Sequence, residues 1–226
     1  MSTAAKVGFW SSLAAFAMAA GYSIVQILQM LGVLTFPWDE ILIFGFSIGI
    51  PVPFVLAMVA LHHSVLAERR IWTHCAIVLA TMYAVLVTIV YATQLAVVVP
   101  LKLAGAADMV RGLTVSSGTF MWVIDGAGYV LMGLATLFAA GTFAGNHSQR
   151  WLRRFLIANG LIDPIIIAVY VWPWLLPAGG LWIITAPGSL WLLARYFRQS
   201  VRMDAPGTAA NVAGLPTATR TRRHGE

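Results

Sequence analysis

The sequence predicts an all-α integral membrane protein: a single bundle of six transmembrane helices, both termini cytoplasmic, with a disordered C-terminal tail. Three observations carry that reading. Of the 226 residues, 60% are hydrophobic and only 10% charged, with a mean hydropathy of +0.83; soluble domains carry about 25% charged residues. Six apolar segments, roughly 7–33, 40–61, 71–99, 119–143, 155–174 and 181–196, each supply about the 20 residues that a spanning helix needs. Their charges alternate between loops in the manner of the positive-inside rule.

The first segment opens like a secretory leader, with Lys6, an apolar run and Ala17-Met18-Ala19. The run then continues through Ile24 and Ile27 to Phe36, longer than a leader's apolar core, and reads as an uncleaved span. The second is entered through Asp39 and Glu40 and interrupted by Pro51-Val52-Pro53, which strips helical donors from the carbonyls of Ser47 and Gly49. The third exceeds the bilayer's requirement and is predicted to tilt or project. The fourth carries Gly126, Gly133 and Ala140 in one stripe, a close-packing seam. The fifth holds Asp163 near its middle, followed at once by Pro164, which frees the carbonyl of Gly160. The sixth ends at Arg195 and Arg198. Residues 1–198 form the predicted membrane domain, and 199–226, rich in Ala, Gly, Pro and Thr with a basic end, form the tail.

Lys6, Arg69, Arg70, Arg150, Arg153, Arg154, Arg195 and Arg198 mark the cytoplasmic side. Trp10, Trp72, Trp151 and Trp191 are expected at that interface, with Trp38, Trp172, Trp174 and Trp182 at the outer one. The net charge of +6 therefore serves orientation and contact with anionic lipid, and nucleic acid is not an expected partner. The protein is placed in the cell membrane; oligomeric state is left open. The lone Cys75 excludes an internal disulfide. His62, His63, His74 and Cys75 match no standard zinc spacing, so no metal is predicted. No phosphate loop, nucleophile elbow or dinucleotide fingerprint occurs, and no cofactor is predicted.

Depth along the predicted spans gathers polar groups in the outer half of the membrane. Tyr22, Gln26 and Gln29 share a sector of the first span, and Tyr91 and Gln94 lie in the outer third of the third. Asp125, Tyr129 and Thr136 share a stripe of the fourth, with Asp125 about 10 Å below the outer surface. Asn159, Asp163 and Tyr170 share a stripe of the fifth. Glutamines, tyrosines and asparagines in such places often only tie helices together, at about 0.6 kcal/mol per hydrogen bond. A carboxyl group at mid-membrane costs about 2.5–3.5 kcal/mol on insertion scales and marks a functional candidate.

The expected site is a polar pocket opening to the outer leaflet, in which Asp125 and Asp163 meet. Asp163, the deeper, is read as proton donor, and Asp125 as acceptor or cation stabiliser. Glu40 is a third acidic member and Asp39 a helix cap. Tyr22, Gln26, Tyr91, Gln94, Trp122, Tyr129, Asn159 and Tyr170 are the expected substrate-binding residues, with the rings of Trp122, Tyr91 and Tyr170 able to face a carbocation. This set suits cofactor-free acid/base cyclisation or isomerisation of a lipophilic terpenoid- or sterol-like substrate. In general plan the chain is similar to small membrane-integral terpenoid cyclases and sterol isomerases, a likeness of architecture without matching motifs. Two alternatives stay open. One is a proton-coupled small-molecule carrier gated at the broken spans two and five, as in inverted-repeat transporters. The other is a non-catalytic membrane subunit.

Overall fold

The computed structural model describes residues 2–144 and 149–203. The expected disorder of the tail beyond 203 lies outside the described residues. All regular structure among the described residues is helical. Five helices are long and apolar enough to cross a membrane: Thr3–Met30, Trp38–Ser64, Ala67–Leu103, Phe120–Gly141 and Pro173–Gln199.

The first of these is α1 (Thr3–Met30), started by the Ser2 hydroxyl accepting from the Ala5 amide. The second is two helices, α2 (Trp38–Ile48) and α3 (Pro51–Ser64), separated at Gly49 and Ile50. The break falls where Pro51 and Pro53 remove donors; the Ile50 amide takes up the Ser47 carbonyl that Pro51 frees, beside a tight turn from Gly49 to Phe46. The third comprises α4 (Arg70–Thr93), a π-helical turn over Gln94–Val98, and α5 (Val99–Leu103). Pro100 cannot donate to Ala96, and the widened turn absorbs that loss. The fourth is α6 (Phe120–Gly141), capped by Thr119, whose hydroxyl accepts from the Trp122 amide. At its other end the Arg69 guanidinium donates to the Thr142 carbonyl (2.6 Å).

The expected fifth span, 155–174, is not one continuous helix. It divides into α7 (Arg150–Gly160) and α8 (Asp163–Val169), with a break at Leu161 and Ile162. Beyond α8 come a 3-10 turn (Pro173–Leu175) and the short α9 (Leu176–Gly179). The last helix, α10 (Trp182–Met203), runs past the expected boundary at 198 and contains Pro187. That proline frees the carbonyl of Ile183, and Ser23 of α1 donates its hydroxyl to it (2.9 Å). One proline thereby ties the first and last helices together.

Packing closes the helices into a ring: α10 against α1, α1 against α3, α3 against α4, α4 against α6, α6 against α7, and α7 against α10. Phe54, Met58, Met132, Leu156, Leu190 and Leu193 fill the centre, around a seam with no room for a water molecule. The outward faces present Ile24, Val52, Val78, Val85, Ile89, Ile167 and Ile184, an apolar surface suited to lipid. Trp10, Trp38, Trp72, Trp151, Trp172, Trp174 and Trp191 are exposed, as an interfacial belt requires. Trp182 departs from that expectation. It is only 4% exposed and turned inward.

Candidate functional site

Trp182 is the centre of an aromatic cluster rather than a belt residue. Its ring meets Tyr129 of α6 edge-on at 4.8 Å and Tyr22 of α1 edge-on at 5.5 Å. Its indole N–H is buried and has no acceptor among the described residues. Burying an indole N–H unpaired is costly, of order 1–3 kcal/mol, so this ring is held by its packing and not by its polar edge.

From this cluster a line of hydrogen bonds runs to the end of the bundle. The Tyr129 hydroxyl donates to that of Tyr22 (3.5 Å), and Tyr22 donates to Gln26 Oε1 (3.0 Å). Gln26 Nε2 donates to Gln29 Oε1 (3.0 Å), and Gln29 Nε2 donates to Asp39 Oδ2 (2.9 Å). The spacing of 22, 26 and 29 along one face of α1 makes the line possible. Asp39 is therefore not the expected helix cap; α2 has no side-chain cap, and the Asp39 carboxylate serves the Gln29 amide. Its neighbour Glu40 forms an ion pair with Lys102 (2.6 Å), and Lys102 also lies over the Phe36 ring at 5.9 Å. Glu40 thus closes the seam between α2 and α5, while its Oε2 stays unpaired among the described residues.

Asp125 lies at the inner end of the line. Tyr91 of α4 interacts with both the Asp125 carboxyl and Tyr129, so the phenols of Tyr91, Tyr129 and Tyr22 form one cluster with the acid. Asp125 Oδ1 is buried without a partner among the described residues. Tyr91 itself packs against Phe44 at 6.1 Å.

Asp163 belongs to a different environment. It is 5% exposed, both carboxyl oxygens are buried, and neither has a hydrogen-bond or ion-pair partner among the described residues. The group rests on Gly133 of α6, where any side chain would occupy its space. Seven residues further along each helix, in opposite directions, Tyr170 rests on Gly126 in the same manner and donates to the Val123 carbonyl (2.8 Å). The ring of Trp122 meets Tyr170 edge-on at 5.6 Å. The predicted glycine seam of α6 is thus where α8 packs, and Asp163 is buried by that seam.

The expected meeting of Asp125 and Asp163 is not found. Asp125 precedes Gly133 by a little over two helical turns, ~12 Å at 1.5 Å per residue, and is directed at the phenols instead. Neither acid lines the central seam or the outward-facing groove along Ile77–Leu86 of α4. The two acids are set apart along α6 and face different neighbours, Asp125 the phenols and Asp163 the seam at Gly133.

Two expected binding residues act as ties. Asn159 is wholly buried; its Nδ2 donates to Thr136 (3.2 Å) and its Oδ1 accepts from Thr185 (3.0 Å), joining α6, α7 and α10. Gln94, in the π turn, donates to the Leu113 carbonyl (2.7 Å) and holds the loop before α6. At the other end of the bundle His62 Nδ1 lies 2.8 Å from the Thr73 hydroxyl, and no group of three or more metal-ligating side chains gathers among the described residues.

Fold and site together define a class: an all-helical protein with five helices long and apolar enough to cross a membrane, a buried acid within one of them, Asp125, and a second, Asp163, unpaired in the short α8 packed against it. No known protein family, curated protein or solved structure matches the chain.

Proposed function

We propose that the protein is a six-span carrier of a small lipophilic molecule, coupled to protons through Asp125 and Asp163, with both termini in the cytoplasm of a cell whose membrane it crosses. In this reading α7 and α8 together make the fifth span, and the arginines at residues 69, 70, 150, 153 and 154 face the cytoplasm. One observation carries the proposal. Asp125 of α6 keeps its Oδ1, and Asp163 of α8 both its oxygens, buried and meeting neither a cation nor each other among the described residues. A structural role would spend those oxygens on hydrogen bonds. Left unpaired, they are free to take and release protons, the usual work of intramembrane acids in transporters. The α2–α3 and α7–α8 breaks supply paired discontinuities of the kind that carriers move.

A second reading has a specific observation in its favour. The Asp125 carboxyl meets Tyr91, which continues through Tyr129 to Tyr22, with Trp182 against the last two. Such a cluster suits protonation of a lipophilic alkene and stabilisation of the resulting cation, as in cyclisation or double-bond isomerisation of a terpenoid- or sterol-like substrate. There Asp125 alone would donate and recover the proton, because Asp163 is too distant to assist.

Mass spectrometry of lipophilic compounds in cells and medium, with and without the gene, separates these readings. A carrier shifts unaltered compounds between cells and medium in a manner abolished by collapsing the pH gradient. An enzyme yields compounds of changed structure whether or not the gradient is present. No difference in either compartment would remove both.

A further inference from the structure

The line from Tyr129 to Asp39 has a property that packing alone does not require. Every donor in it points the same way. Tyr129 donates to Tyr22, Tyr22 to Gln26, Gln26 to Gln29, and Gln29 to the Asp39 carboxylate. At one end stands a carboxylate in the first turn of α2, beside the Glu40–Lys102 ion pair. At the other stands Tyr91, in contact with Asp125.

We infer that Tyr129, Tyr22, Gln26 and Gln29 form the route by which protons pass between Asp39 at the bundle end and Asp125 within the membrane. The route rests on Asp125 being a protonation site, as proposed above. An entering proton adds to Asp39. At rest Nε2 of Gln29 faces Asp39, so inward passage begins when both glutamine amides and the hydroxyls of Tyr22 and Tyr129 turn end for end, and Asp39 then donates to Gln29 Oε1. Each member accepts one proton and releases another toward Tyr91 and Asp125, so one proton enters, one arrives, and no member gains or loses any. The phenols do this by exchanging one O–H bond for another. The amides accept on oxygen and release from nitrogen, which leaves each as its imidic acid; a second turn and a second proton, taken on nitrogen and released from oxygen, restore the amides as they stood. The two glutamines are therefore the slow links. The titratable groups facing Asp125 are Tyr22 from α1, Tyr83 and Tyr91 from α4, Tyr129 from α6 itself, and Tyr170 from the segment after α8. No fixed cation competes with the arriving proton there among the described residues.

Time-resolved infrared spectroscopy of the purified full-length protein tests the route without a substrate. A caged acid is flashed to release protons, and the carboxylic C=O band of Asp125, identified by its loss in Asp125→Asn, is followed in time. Gln26→Leu breaks the line, and the band should rise about tenfold more slowly or worse, to the same final amplitude. Tyr22→Phe removes a group that both accepts and donates and should slow it similarly. Gln26→Glu substitutes a faster link and should restore or exceed the native rate. An unchanged rate in Gln26→Leu and Tyr22→Phe, with the amplitude retained, overturns the route while leaving Asp125 as a protonation site. Absence of any Asp125 band across the accessible pH range overturns the protonation site and the route together.

Discussion

The Asp163 carboxyl lies on the Cα of Gly133, in the space that a methyl group at 133 would fill. The glycine of α6 and the acid of α8 are thus fitted to each other, and their fit gives a prediction with a change of sign. In an otherwise native chain, Gly133→Ala forces the acid or the helix aside and should destabilise by about 1–3 kcal/mol, the usual cost of overpacking. In an Asp163→Ala background the obstruction is gone. The same change should then stabilise by up to about 1 kcal/mol, the helix preference of alanine over glycine. Unfolding of the four variants in detergent measures the coupling.

Pro164 is the residue that separates α7 from α8. Pro164→Ala returns a donor opposite the Gly160 carbonyl and should extend α7 through the break at Leu161 and Ile162. Hydrogen exchange at residues 161–164 should slow, and activity should fall because Asp163 is carried away from Gly133. Unchanged exchange there would assign the break to packing instead of the proline.

Asn159 joins three helices through Thr136 and Thr185, and its role is predicted to be mechanical. Asn159→Leu should lower stability by about 1 kcal/mol, two interhelical bonds at about 0.6 kcal/mol each. Activity per folded molecule should persist. A variant of native stability and no activity would return Asn159 to the substrate.

Topology is checked by single cysteines in a Cys75→Ser background. If α7 and α8 together cross the membrane, cysteines at Gly112 and Ala178 react with an impermeant reagent from outside, and those at Glu68 and Gln149 only after the membrane is opened. Labelling of positions 149 and 178 from one side would leave five crossings.

Much of the fold was legible because its strongest signals are local. Apolar length marks the membrane helices, and a proline's missing donor marks each break, so the interruptions beside Pro51 and Pro164 could be placed by number. Pro100 carries the same signal for the π turn at Gln94–Val98. Spacing along each helix was equally legible, since it follows from rise per residue. The angle about each helix axis was not. Asp163 and Tyr170 both meet the glycine seam of α6, but Asn159, expected on the same stripe, lies across the break and turns to Thr136 and Thr185, while Asp125 turns to the phenols of α1 and α4. Trp182 shows the same limit: a tryptophan at a helix start reads as interfacial, and only the approach of Tyr22 and Tyr129 reveals that it faces inward. Gln29 and Asp39, joined across the loop between α1 and α2, complete a line that neither helix displays alone.

The most direct measurement is the lipophilic metabolite profile of cells and medium for the native chain, Asp125→Asn and Asp163→Asn, each confirmed as folded by its melting in detergent. Each substitution keeps the shape of the side chain and removes its titratable proton. The account predicts that either one alone returns the profile to that of cells lacking the gene. Native profiles from both variants would contradict it.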